Sequence, residues 1–261
     1  MRRRWWLIPL GALVYLGALV VLLPVELAWG WLGERLPVRA YALAGTLWEG
    51  SAAAVTRGPV RLDDLRWELH PAALATGRVS AELAARFRDG RLEGQVEWRP
   101  SGLAVREARL AVDVDTALEL AGRRGFQRAA DGRLEALVRE LVLVDGRPRQ
   151  VRALLTWTGA RVGFGEDIDL GDVALELGPG DGRDIAGILS NQGGALALDG
   201  ELTLAPNGSF LLQAALSPRN PSDDAALAAL ARLGLPRSAG PHRFNVSGNL
   251  DGTGIRVRPA G

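Results

Sequence analysis

Cysteine and lysine are absent from the 261-residue sequence, and histidine occurs only at His70 and His242. The absence of cysteine excludes disulfide bonds, thiolate metal sites and cysteine nucleophiles. Two histidines leave little material for a histidine-rich metal site or a catalytic relay. The 31 basic residues are all arginine and are interspersed among 30 acidic ones, so no basic stripe indicates nucleic acid. We therefore expect no nucleic-acid partner.

Sequence motifs for catalysis or cofactor binding are also missing. The glycine-rich segment 178–182 lacks the Lys-Ser/Thr of a phosphate-binding loop, and no Gly-x-Ser-x-Gly elbow occurs. Two aspartate pairs, Asp113 with Asp115 and Asp167 with Asp169, have strand spacing that places both carboxylates on one solvated face. We expect no enzymatic activity, no catalytic residue, no metal and no cofactor.

An apolar run without a charged residue occupies positions 5–25, and Glu26 ends it. About twenty helical residues span the ~30 Å hydrocarbon core of a bilayer. The three arginines at positions 2–4 favour a cytoplasmic N-terminus. The sequence thus predicts a cytoplasmic tail (1–4), a single inner-membrane helix (5–25) and a periplasmic domain (26–261). The alternative, a cleaved signal peptide, would normally have a shorter apolar core.

In the remainder of the chain, apolar and polar residues alternate, and this period of two indicates half-buried strands. From Val79 to Phe87 the odd positions are apolar, and Leu92, Gly94 and Val96 continue the pattern after Asp89-Gly90. An Asp-Gly pair between alternating segments predicts an antiparallel hairpin.

Similar alternation recurs along the chain and predicts roughly a dozen strands at hairpin spacing. The phase slips near Arg106-Glu107, as at a β-bulge. Segment 134–142 also fits a helical stripe, but Asp131-Gly132 and Asp145-Gly146 bracket it at hairpin distance and favour a strand.

Short helices are predicted at three places, as caps on the sheet. Residues 71–77 fit a single turn, Thr116 to Glu119 resembles a capping box, and Ser222-Asp223-Asp224 precedes an apolar stripe that Gly234 stops. Glycines recur on the apolar face of strands, at Gly94, Gly200 and Gly248, and favour a strongly bent sheet. The predicted fold class is mainly β: a membrane helix followed by a strongly bent, mostly antiparallel periplasmic sheet with short helical caps.

A sheet of this size must cover its apolar face. It can close on itself, fold over, or leave an apolar groove for a partner protein or a lipid. The sequence leaves these alternatives open.

Several segments, taken in order, resemble the type II secretion system protein N family. They are Gly45-Thr46-Leu47-Trp48-Glu49-Gly50-Ser51-Ala52, Leu65-Arg66-Trp67-Glu68-Leu69-His70-Pro71, Gly193-Gly194-Ala195-Leu196, Asn207-Gly208 and Leu216-Ser217-Pro218-Arg219. The likeness extends from the apolar run to about Val257. Ala195 departs from the proline expected there.

The resemblance implies a non-enzymatic, single-pass inner-membrane subunit of the type II secretion system, with other secretion subunits as partners. It would scaffold or couple envelope components for export of folded exoproteins. We expect partner contact through the first of these segments and a nearby tryptophan, that is Gly45, Thr46, Leu47, Trp48, Gly50 and Trp67. For Trp48 and Trp67 the alternative is packing within the sheet. The alternative function is lipid handling by the apolar face, as in lipopolysaccharide-transport or AsmA-like proteins.

Overall fold

The computed structural model describes residues 22–32, 38–58, 60–120, 130–163, 167–238, 240–250 and 254–259. The predicted cytoplasmic tail and almost all of the predicted membrane helix lie outside these residues. Among the helices that the structure does describe, none combines the length and apolarity needed to span a bilayer.

The described chain forms one fourteen-stranded antiparallel sheet in which each strand pairs with its neighbours in sequence. The strands are β1 (Arg39–Gly45), β2 (Glu49–Arg57), β3 (Val60–Leu69), β4 (Val79–Phe87), β5 (Gly90–Arg99), β6 (Gly102–Asp113), β7 (Ala130–Val144), β8 (Arg147–Val162), β9 (Ile168–Pro179), β10 (Ile185–Gln192), β11 (Leu196–Leu204), β12 (Ser209–Pro218), β13 (His242–Asn249) and β14 (Arg256–Pro259). The mainly β, antiparallel prediction is confirmed. The sheet does not close, because β1 and β14 are its two edges.

Strand pairing brings the predicted apolar positions together on one face, the apolar face. In the β4–β5 hairpin Ala81 pairs with Val96 and Ala85 with Leu92. The opposite, polar face carries the charged positions of the same strands. Because side chains alternate along a strand, this register keeps the apolar residues on a common side from strand to strand.

Turn and bulge positions follow the sequence with two exceptions. The β7–β8 turn is Asp145-Gly146, and both residues have positive φ (52° and 73°), as a type I′ turn requires. Asp131-Gly132, in contrast, lies within β7. The β4–β5 turn is one residue earlier than predicted, because Phe87 pairs with Gly90.

The predicted bulge in β6 is confirmed. Glu93 pairs with Arg109 but Gln95 pairs with Arg106, so β6 contains one extra residue, and Glu107 there has a φ of 47°. The 134–142 segment is part of β7, which confirms the strand interpretation.

Four short helices accompany the sheet in the described chain. They are α1 (Val25–Leu32), α2 (Pro71–Leu74), α3 (Val114–Leu120) and α4 (Asp224–Arg232). Asp223 caps α4 by accepting a 2.9 Å bond from the Ala225 amide. The capping-box prediction at Thr116 is wrong: α3 begins two residues earlier, and the Thr116 hydroxyl donates to Asp89 instead.

The two ends of the sheet differ. Because neighbouring strands are antiparallel, the connections that follow odd-numbered strands lie at one end of the sheet and those that follow even-numbered strands lie at the other. The first end also has α1 and α2, and we call it the α1 end. The second end has α3 and α4, and we call it the α4 end. The best-buried core is at the α4 end, where α4 covers part of the apolar face. Its buried members are Ala160, Ile168, Leu170, Val173, Leu196, Leu216, Ala226, Ala229 and Leu230. A second, smaller cluster contains Val151, Ala153, Ile185 and Leu204.

Candidate functional site

The predicted contact segment forms the tight connection between β1 and β2. Gly45 has a φ of 94°, and a Cβ there would lie 2.5 Å from the Glu49 carbonyl oxygen. The Thr46 amide donates to that oxygen (2.8 Å), and the Thr46 hydroxyl accepts from the Glu49 amide (3.1 Å). Position 45 needs glycine, because only a residue that tolerates positive φ fits there. The Thr46 bonds to Glu49 then close the hairpin.

Backbone bonds join this connection to its neighbours on both sides. The Leu47 amide donates to the Leu23 carbonyl (2.9 Å), next to a bridge between Pro24 and Thr46. On the other side the Leu69 amide donates to the Trp48 carbonyl (2.6 Å). The connection is therefore held between the start of α1 and the end of β3.

Trp67 covers the hairpin from β3. Its indole nitrogen donates a 3.1 Å bond to the Leu47 carbonyl. Gly50 is its cross-strand partner, and a Cβ on Gly50 would lie 2.4 Å from Cζ2 of the ring. The indole therefore needs glycine at position 50.

The structure brings the six predicted residues together, and all six take part in the hydrogen bonds or the packing of this hairpin. Trp48 is half-buried, as is Trp67. Packing within the sheet accounts for Trp67. Contact with a partner through this hairpin stays a prediction.

A row of glutamates crosses the polar face beside the hairpin and was missed by sequence reasoning. Glu49 pairs with Glu68, and Glu68 pairs with Glu82. The side-chain nitrogen of Gln95 donates to the Glu82 carboxylate (3.2 Å). The row lines an open groove over β1 to β6. Strand register alone puts these carboxylates side by side, so no local motif reveals them.

An ion cluster centred on Glu97 lies further along the same face. Arg78 and Arg106 approach the Glu97 carboxylate at 3.4 and 3.2 Å, and Arg99 binds it most closely. The hydrogen bond from Arg99 lowers the pKa of the Glu97 carboxyl below its ordinary value, and the charges of the three guanidiniums contribute. The cluster ties β4, β5 and β6 together.

At the α4 end, two of the segments that resemble the family meet around Asn191. The side-chain nitrogen of Asn191 donates to the carbonyls of Leu170 (2.6 Å) and Leu196 (2.8 Å). The side-chain oxygen of Asn191 accepts from the backbone amide of Leu198 (2.8 Å). Arg219 donates to the Asn191 side-chain oxygen (3.1 Å) and to the Gly193 carbonyl (3.0 Å). The Gly193 and Arg219 segments are thus joined by one polar network.

The remaining candidate polar residues have local roles. Asp113 is paired with Arg133 (3.3 Å), whereas Asp115 begins α3, so these two aspartates do not share a strand face as predicted. Asp169 accepts from the Gly171 amide and is exposed. Among the described residues, no group of three or more histidine or acidic side chains could hold a metal ion.

Comparison with known proteins identifies the family. The model for type II secretion system protein N matches residues 37–245, nearly the whole sheet. The chain belongs to the type II secretion system protein N family. The protein of that name from Aeromonas hydrophila is 30% identical over 261 residues, with 96% of this chain and 100% of the relative aligned. The one from Vibrio cholerae serotype O1 is 26% identical over 246 residues, covering 91% of this chain and 95% of the relative. No solved structure matches. Family membership supports the predicted role as a secretion-system subunit.

Proposed function

We propose that the chain is a non-enzymatic subunit of the type II secretion system that scaffolds or couples envelope components during exoprotein export. Residues 5–25 anchor it in the inner membrane, with the N-terminus in the cytoplasm and residues 26–261 in the periplasm. The observation that carries this proposal is the family match over residues 37–245, which extends from before β1 into β13. The same match favours secretion over the lipid-handling alternative.

The open edges of the sheet support a scaffolding role. An edge strand presents unpaired backbone groups to which another chain can add a strand. The β14 edge carries Arg256, Arg258 and Pro259, which are residue types that block such pairing. The β1 edge contains no proline, and Arg39 is its one charged residue. We therefore assign strand addition to β1. Partner contact through the adjoining hairpin rests on the family resemblance, because the outer side of the hairpin is already bonded to Leu23 and Pro24.

Crowding on the apolar face supports a sheet that bends toward that face. A Cβ at Gly94 would lie 2.7 Å from the Ala108 Cβ, and one at Gly200 would lie 3.1 Å from the Ala214 Cβ. Cross-strand Cβ atoms are ordinarily about 4.5–5.5 Å apart. Glycine at these positions thus permits strands to approach more closely than side chains would allow, and the bent face is the second surface for a neighbouring subunit.

Deletion of the gene tests the secretion role. One exoprotein is followed in the periplasmic and culture fractions, with the full-length chain returned in trans. We expect the exoprotein to accumulate in the periplasm and secretion to return with the full-length chain. Normal secretion in the deletion strain would contradict the proposal. Normal secretion with altered outer-membrane permeability would instead support lipid handling.

A charge on the β1 edge tests the docking strand. Tyr41 is exposed in β1, and Leu154 is similarly exposed in the central strand β8. We expect Tyr41→Lys to reduce secretion because an edge charge opposes strand addition, and Leu154→Lys to leave it unchanged at equal protein level. Equal secretion by both variants would remove β1 as the docking edge.

A further inference from the structure

Exposed apolar side chains are concentrated at the α1 end of the sheet. Of the twelve large apolar residues exposed in the described chain, six lie in or next to the turns and helices of that end, and we call them the apolar rim. They are Leu22, Leu27, Leu74, Trp98, Leu250 and Ile255. Trp98 is 52% exposed and Leu250 is 57% exposed. At the α4 end, the turns and helices of the described chain expose Leu233 alone among the large apolar residues. Several exposed apolar side chains at one end of a sheet are characteristic of an interaction surface.

The rim lies where the chain enters the sheet. The Leu23 carbonyl accepts the Leu47 amide at 2.9 Å, and Pro24 bridges to Thr46. These residues are the last ones of the apolar run, 5–25. The end of the proposed anchor is therefore hydrogen-bonded to the first hairpin, and no linker separates them. A sheet attached in this way has its α1 end at the surface of the bilayer.

The chemistry of this end fits a lipid surface. Tryptophan favours the membrane interface because its indole is amphipathic. Transfer of exposed leucine and isoleucine side chains out of water lowers the free energy. Arg147 and Arg256 are exposed at the same end, where guanidinium groups can bond lipid phosphates.

We infer that the apolar rim inserts into the headgroup region of the inner membrane's periplasmic leaflet and holds the sheet upright on the bilayer. This inference rests on the proposed inner-membrane anchor. The rim contacts the lipid itself, so the proposed subunit contacts are those of the β1 edge, the adjoining hairpin and the bent face.

Single-cysteine labelling tests the inference cleanly because the native chain has no cysteine. Leu74 and Leu233 are a matched pair, with exposures of 46% and 43% at opposite ends of the sheet. The full-length Leu74→Cys and Leu233→Cys chains carry a fluorescent label in phosphatidylethanolamine–phosphatidylglycerol vesicles. Quenching is measured with a lipid-attached nitroxide and with aqueous iodide; Ile255→Cys serves as a second rim position.

We expect the labels at positions 74 and 255 to be quenched by the lipid nitroxide and protected from iodide, and the label at 233 to show the reverse. Equal iodide quenching at both ends, with the chain retained in alkali-washed vesicles, would overturn the rim and leave the anchor intact. Loss of the chain from washed vesicles would overturn the anchor and the rim together.

Discussion

Trp67 and Gly50 face each other across the β2–β3 ladder, and the indole ring occupies the space that a side chain on residue 50 would need. Gly50→Ala would place a Cβ 2.4 Å from the ring, which must then move and strain its bond to the Leu47 carbonyl. We expect a loss of about 1–3 kcal/mol in the free energy of unfolding, as for overpacked cores. Urea denaturation of the solubilised full-length chain, followed by tryptophan fluorescence, measures it.

The control is Gly178→Ala in β9. A Cβ at position 178 meets no atom within 4 Å, so this variant should match or slightly exceed the native stability. Equal stability of the Gly50 and Gly178 variants would show that the Trp67 ring can move aside at little cost.

Asn191 makes side-chain hydrogen bonds to backbone groups of β9 and β11. Asn191→Ala leaves the Leu170 and Leu196 carbonyls and the Leu198 amide without that side chain. We expect a loss of about 1–3 kcal/mol, because unpaired buried polar groups lose their solvation without compensation. Asn245→Ala, on the polar face of β13, is the matched control. A similar small change in both unfolding midpoints would contradict a locking role for Asn191.

Ionisation of Glu97 links the stability of the β4–β6 region to pH. The Glu97 side chain is only 13% exposed, and its pKa is lower in the folded chain than the ordinary 4.5. A depressed folded pKa means that the cluster contributes stability above the unfolded value and loses it as pH falls through the folded one. Unfolding midpoints of native and Glu97→Gln chains should therefore differ at neutral pH and converge in acid.

Glu201→Gln controls for the loss of a glutamate charge on the polar face. Glu201 is exposed in β11, so this substitution should change the free energy of unfolding little. A constant difference between the native and Glu97→Gln chains from neutral to acidic pH would refute the assignment.

Leu230 anchors α4 to the apolar face. Its side chain is 0% exposed, whereas Leu233, three residues later, faces solvent. Leu230→Ala should lower the free energy of unfolding by about 2–5 kcal/mol, because it removes buried methyl groups and leaves a cavity. Leu233→Ala should change it little. Thermal unfolding of both variants measures the contrast, and equal melting temperatures would mean that α4 does not support the sheet.

Period-two alternation predicted most of the strands, because one face of each strand is buried and the other is exposed to solvent. It did not reveal β1, β2 or β10, in which polar and apolar residues do not alternate regularly. The β6 bulge was also predictable, since the break in alternation at Arg106-Glu107 is local. Helix starts were less secure: Thr116 has the right residue type for a cap, but α3 already begins at Val114. The hairpin residues were found through family resemblance, and their locking by Trp67 was not foreseen.

The polar networks could not be predicted, because they depend on distant partners. Nothing near Asn191 in sequence indicates that Arg219 will reach it, and the Glu49–Glu68–Glu82 row exists only once three strands are in register. Such contacts are set by tertiary register, which residue type and spacing do not specify.

The pairing order of the strands has a consequence for how the chain acquires its structure. Every strand from β2 onward finds a partner in the strand made just before it. Short sequence separation between contacting residues favours fast folding, since little loop entropy is lost at each step. The sheet can therefore grow one strand at a time, in the order of synthesis, from the β1–β2 hairpin to β14. During such growth each newly added strand is the temporary edge, and the next strand covers it.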